Sequence, residues 1–220
     1  MALLASGSLG KFRGKIGRIV VCRWRNKFTA RQAPSTFSVS RSPEQLDIRQ
    51  KMGKVSNFLK MFSAEIKIGW SSGSRQKTPF GDAVSYHMRH AVAGGYPDYY
   101  IDFQKVIPSR GRGIIDGGFR PMALPAADCS VKVSWIISNS TDEITRPEDH
   151  LVLIFFDEHL KEGSVRSICY ENCARREDLT VTVGLPELCM NHPLHAYMFF
   201  VSEDHKLASK SEYLGTVIPG

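Results

Sequence analysis

Between Gly10 and Arg31 the sequence contains no aspartate and no glutamate. The same stretch carries Lys11, Arg13, Lys15, Arg18, Arg23, Arg25, Lys27 and Arg31. That absence excludes neutralisation within the segment, which leaves an anionic partner, a neighbouring subunit or a solvated basic face with no partner. Long hydrophobic runs are missing too. Nothing approaches the ~18 apolar residues of a membrane span, so no membrane partner is expected. The opening, Met1 to Lys11, has too short an apolar run and no preceding positive region for a secretory signal. Synthesis in the cytoplasm is therefore expected, with a particle as one final location. Cysteine is sparse and odd in number: Cys22, Cys129, Cys169, Cys173 and Cys189 are dispersed and read as reduced thiols.

What is present is a chain of 220 residues with 42% hydrophobic content, enough for one large domain or two small ones. The net charge of +7 conceals a polarity. Residues 1–80 hold 16 Lys or Arg against three acids, a balance of +13, whereas residues 81–220 hold 13 against 19, a balance of −6. A basic front half favours an anionic partner, nucleic acid being the commonest, and permits head-to-tail association with the acidic back half of another copy.

Apolar and β-branched residues interleave with the basic ones, which predicts two strands, 16–24 and 27–33, around Arg25-Asn26-Lys27. This basic hairpin is marginal alone and must dock on something. Trp24 and Phe28 are suited to packing or to stacking on bases. Ser42-Pro43-Glu44-Gln45 is a helix start, with Ser42 as cap and Pro43 at the first helical position. Leu46, Met52, Val55, Leu59, Phe62 and Ile66 then recur at helical intervals to about Ile68. Thr78-Pro79 opens a second helix, Phe80 to about Ala93, closed by Gly94-Gly95. The pair forms a helical hairpin. From Tyr96 the period becomes two. Strands are predicted at 99–103, 131–135, 151–156, 165–170, 179–183, 196–201 and 213–218, with the Gly- and Pro-rich segment 109–125 as a connection or irregular edge. The expected architecture is α+β: a basic N-terminal β-hairpin and a helical hairpin (1–95), then an antiparallel immunoglobulin- or fibronectin-III-like β-sandwich (96–220). Trp135 is expected as a core anchor and Tyr197 as the donor of a corner hydrogen bond.

Several motifs fail on their own chemistry. Gly69-Trp70-Ser71-Ser72-Gly73 has the spacing of a nucleophile elbow, but a predicted helix precedes it where a strand is needed. Gly10 to Ile16 imitates a phosphate loop, with one residue too few between its glycines and Ile16 where Ser or Thr must hold magnesium. Cys169, Cys173, Cys189, His192 and His195 offer zinc-type donors, but Cys169 falls in a predicted strand and the first pair has three intervening residues rather than two. No metal or other cofactor is therefore expected. His87 and His90 share a helix face near Asp82, and His150, His159 and His205 are scattered, with no nucleophile beside any of them. No catalytic set emerges, so a non-enzymatic role is expected.

The order of Gly14-Lys15-Ile16-Gly17, Arg41 to Leu46, Ile66-Lys67-Ile68-Gly69, Ala83 to Tyr86, Tyr96 to Tyr99, Ser109-Arg110-Gly111, Phe200 to Asp204 and Tyr213-Leu214-Gly215 resembles an uncharacterised domain family that recurs in Bacteroidota genomes, often in several copies. The resemblance covers most of the chain and implies no established activity, so it transfers no catalytic residue. Cys169, Cys173, Cys189 and the nearby histidines lie outside its pattern. Two functions remain open. In the first, the chain is a self-associating structural protein, of packaging or coat type, whose basic N-terminal region binds nucleic acid non-specifically through Lys11, Arg13, Lys15, Arg18, Arg23, Trp24, Arg25, Lys27 and Arg31. In the second, it is a protein-interaction module whose hairpin is an assembly arm for a neighbouring copy, without nucleic acid. A homo-oligomer is expected under both.

Overall fold

A computed structural model describes residues 2–4, 13–24, 27–35, 42–70, 77–112, 115–137, 145–159 and 167–220. The chain divides into two compact units, Met1–Ser42 and Pro43–Gly220. The division expected near residue 95 therefore falls at the first helix instead, and the helices belong to the same unit as the C-terminal sheets.

In the first unit β1 (Ala2–Leu4), β2 (Gly14–Ile16), β3 (Ile19–Trp24) and β4 (Lys27–Gln32) form an antiparallel sheet in the order β1-β4-β3-β2. Gly17, at φ +54°, occupies the left-handed position in the tight turn between β2 and β3. This turn splits the single strand predicted over 16–24 at Gly17-Arg18.

The second unit opens with α1 (Pro43–Leu59), a 3₁₀ turn (Lys60–Phe62) and α2 (Ser63–Gly69), followed by α3 (Pro79–His90). Thr78 caps α3, its hydroxyl accepting from the Gly81 N–H at 3.1 Å. The closure predicted at Gly94-Gly95 is not what ends this helix. It stops at His90, and β5 (Val92–Gly95) pairs with β6 (Asp98–Ile101) in a small hairpin. The two glycines serve that hairpin: Gly94, at φ +87°, lies too close to the Asp98 carbonyl to carry a side chain.

The remaining strands are β7 (Arg110–Arg112), β8 (Phe119–Ala126), β9 (Ser130–Ile136), β10 (His150–Asp157), β11 (Ser167–Tyr170), β12 (Thr180–Gly184), β13 (Leu194–Val201), β14 (Ala208–Lys210) and β15 (Glu212–Val217). A six-stranded sheet runs β11-β10-β13-β14-β7, with β15 also paired to β13; a three-stranded sheet runs β12-β9-β8. The segment 109–125, expected as a connection or irregular edge, contains β7 and most of β8, whose register shifts between Phe119 and Met122. Pro121 and Pro125 fit in β8 because it ends its sheet's hydrogen-bonded order, where a missing N–H is tolerated.

The six-stranded sheet is buried on both faces. Val152, Ile154, Phe156, Tyr197, Phe199 and Val201 pack against Val55, Phe58, Leu59, Phe62 and Ile66 of the helices. Leu151, Leu153, Phe155, Ala196, Met198 and Phe200 pack against Val131, Val133, Trp135 and Val183 of the three-stranded sheet. Double burial explains why β10 reads as an unbroken apolar run instead of alternating. Phe58, Phe62 and Phe156 meet edge to face at 5.1, 5.2 and 6.0 Å between centroids. Each such ring contributes about 1.5–3 kcal/mol by leaving water. Trp135 is buried, its indole N–H donating to the Arg176 carbonyl at 2.9 Å, and the Tyr197 hydroxyl donates to the Phe103 carbonyl at 2.8 Å.

Gly69 is fixed by packing; Ser71 to Gly73, the rest of that motif, lie outside the described residues. A Cβ at Gly69 would stand 2.7 Å from Ser109 Cα, where the Ser109 hydroxyl donates to the Ser209 carbonyl at 2.6 Å. Gly69→Ala is expected to cost about 1–3 kcal/mol by overpacking. A denaturant midpoint unchanged from the wild type would contradict this close approach.

Candidate functional site

Strand alternation sorts the basic residues of the first unit. Cross-strand partners share a face, and the register pairs Lys15 with Val20, Val20 with Arg31, Cys22 with Thr29 and Trp24 with Lys27. One face therefore carries Lys15, Lys27 and Arg31 around the Cys22–Thr29 pair, whose Sγ and Oγ1 are 3.1 Å apart. All three cations are exposed. Lys15 and Arg31 sit two strands apart, about 10 Å, and Lys27 and Arg31 four residues apart, about 13 Å. This is a spread array that suits an extended polyanion better than one small anion.

The opposite face holds Ile16, Ile19, Val21, Arg23, Phe28 and Ala30. Arg23 lies there with its guanidinium 6.0 Å from the Phe28 ring centroid, away from the lysines it was grouped with. Arg13 precedes β2 and Arg18 occupies the turn. Lys11 and Arg25 lie outside the described residues. The charge boundary coincides with the unit boundary. Residues 1–42 hold nine Lys or Arg and no acid, for +9; residues 43–220 hold the other 20 basic and 22 acidic residues, for −2.

The cysteines and histidines of the rejected zinc set are separated by the six-stranded sheet. Cys169 pairs with Ile154 and so faces the helices. Cys173, Cys129 and Cys189 pack into the core on the other side. His192 leaves both groups: its Nδ1 is 2.7 Å from the buried Asp157 carboxylate, which also accepts the His159 backbone N–H at 2.8 Å. His195 stacks on Phe103 at 4.1 Å, with Nδ1 2.8 Å from the Tyr213 hydroxyl.

His87 is a structural histidine that sequence reasoning left unassigned. Its Nδ1–H donates to the Ala83 carbonyl at 2.7 Å, and Nε2 accepts the Ile107 N–H at 3.0 Å, so the ring is neutral with both nitrogens satisfied. Burial lowers its pKa from the ordinary value. The unfolded chain then takes up a proton near pH 6.5 that the folded chain refuses. Stability is expected to fall as pH drops below about 6.5, by up to about 1.4 kcal/mol per pH unit from this group, until the lowered folded value is passed. Ring NMR titration checks the cause: a His87 resonance titrating at or above the ordinary value would contradict it.

Residues 11–215 match a family of unknown function (DUF6266). Among solved structures, the solution structure of the fibronectin type III domain of human collagen α-1(XX) chain resembles 49% of this chain and 88% of its own, at 15% identity and a TM-score of 0.32. No curated protein matches the sequence.

Proposed function

The chain belongs to the family of unknown function DUF6266, and from its own residues we propose that it is a self-associating structural protein whose N-terminal unit binds nucleic acid without sequence preference. One observation carries the reading. Every formal side-chain charge in residues 1–42 is positive, and Lys15, Lys27 and Arg31 stand exposed on one face of a sheet. Each lysine or arginine that neutralises a phosphate releases condensed counterions, which supplies affinity and makes it salt-dependent. Backbone contacts of this kind position a strand and read no bases.

Self-association is supported by the outward face of the three-stranded sheet. Phe119 pairs with Ile136, and Met122 and Leu124 continue the same side; all four are more than half exposed, at 52, 54, 54 and 52%. An apolar stripe of this kind on a monomer's surface marks an interaction site. A second reading, the assembly arm without nucleic acid, draws on Ile16 and Ile19, exposed at 56% and 54% on the face opposite the lysines.

Titrating the full chain into a labelled, mixed-sequence oligonucleotide across a salt series tests the first reading. Binding that weakens linearly in log–log form, with a slope of about −0.7 to −0.9 per phosphate contact, is expected. No binding at low salt would overturn the reading and leave the assembly arm.

A further inference from the structure

We propose that Glu65, Cys169 and Glu171 bind a single zinc ion, with a fourth position open to water. One donor atom from each lies within 4.8 Å of the others. A tetrahedral zinc with bonds of about 2.0–2.3 Å spaces its donors roughly 3.3–3.8 Å apart. Closure is thus a contraction of about 1 Å, within reach of rotamer changes at Cys169 and Glu171, which are exposed.

Glu65 is the independent observation. It projects from α2, is 5% exposed, and its Oε2 has no hydrogen-bond partner among the described residues. A carboxylate oxygen left unpaired in a buried position is costly unless something cationic completes it. Among the described residues no lysine or arginine reaches that oxygen; what reaches its neighbourhood is the edge strand β11, whose Cys169 faces the helices because it pairs with Ile154. One thiolate with two carboxylates is a borderline donor set that suits zinc better than magnesium or calcium, which take oxygen ligands alone.

The carboxylates of Glu65 and Glu171 beside the Cys169 thiol attract a dication. On binding, the S–H bond breaks, an S–Zn bond forms, and one proton passes to solvent per ion. The site is independent of the nucleic-acid reading, since it lies wholly within residues 43–220.

The test uses the full chain, stripped with chelator and titrated first with Co²⁺ and then with Zn²⁺. One equivalent of Co²⁺ is expected to give a sulfur-to-metal charge-transfer band that Zn²⁺ abolishes, with one proton released per zinc by calorimetry in buffers of differing ionisation enthalpy. Cys169→Ser should remove the band and Cys173→Ser should keep it. Glu171→Gln and Glu65→Gln should each weaken metal binding at least about tenfold. Cys169 and Glu171 are exposed, so their variants remain informative even if Glu65→Gln fails to fold. No band at one equivalent, a band that survives Cys169→Ser, or wild-type affinity in Glu171→Gln would each overturn the site.

Discussion

Arg176→Ala is expected to destabilise the protein by about 3–5 kcal/mol. The side chains of Arg176 and Asp149 are each 2% exposed, and Arg176 Nε lies 3.4 Å from Asp149 Oδ2. The guanidinium also sits 4.1 Å from the Phe200 ring centroid, and Nη2 donates to the Asp116 carbonyl. Desolvation outweighs attraction within the pair, pushing the Asp149 pKa up and the Arg176 pKa down. Such a pair adds little by existing and costs much when halved, because the survivor keeps its burial and loses its counter-charge. The double variant Arg176→Met with Asp149→Asn should therefore be more stable than Arg176→Ala alone. Equilibrium urea denaturation measures both. A loss below about 1 kcal/mol for Arg176→Ala would show that the pair is not closed off from water.

Reversing charge at Lys15, Lys27 and Arg31 together is expected to flatten the salt dependence of nucleic-acid binding by about 2.7 log units per log unit of salt, from about 0.9 for each of three contacts. At low salt the affinity should fall by more than about a hundredfold, since repulsion replaces three neutralised phosphates. All three side chains are exposed, so the sheet should tolerate the change. Arg23→Glu serves as the internal control. Arg23 lies on the opposite face, over Phe28, and its reversal should weaken binding far less. A loss from Arg23→Glu amounting to about a third of the triple variant's on the logarithmic scale would mean that net charge matters and the shared face does not. An intact nucleic-acid affinity with a broken oligomer would favour the assembly arm.

Residue pattern carried the fold furthest where local chemistry matches tertiary burial. The Thr78-Pro79 start of α3 is such a place, because the cap needs only its own next turn. The run Leu151 to Phe156 is another: it reads as a strand, although its failure to alternate is explained only by the helices on its second face. Pattern failed where the deciding contact is distant. Gly94-Gly95 looks like a helix end, yet its neighbour across the strand pair is Asp98-Tyr99. β14 at three residues is too short to show a period. At the candidate sites the same limit applies. The one-signed charge of residues 10–31 was plain, but only the register separates Arg23 from Lys15, Lys27 and Arg31. Cys169 and Cys173 are close in sequence, yet Cys169 stands on the helix side of the six-stranded sheet and Cys173 packs against the core on the other. Glu65 and Cys169 meet only through the packing of α2 against that sheet, which no local spacing encodes.

The most direct measurement of the central claim is light scattering of the purified full chain with its 260/280 nm absorbance ratio, before and after nuclease and high salt. A particle larger than one chain that carries nucleic acid, and loses it to nuclease or salt, is the expected result. A species free of nucleic acid before any treatment, whether monomer or oligomer, would contradict the account.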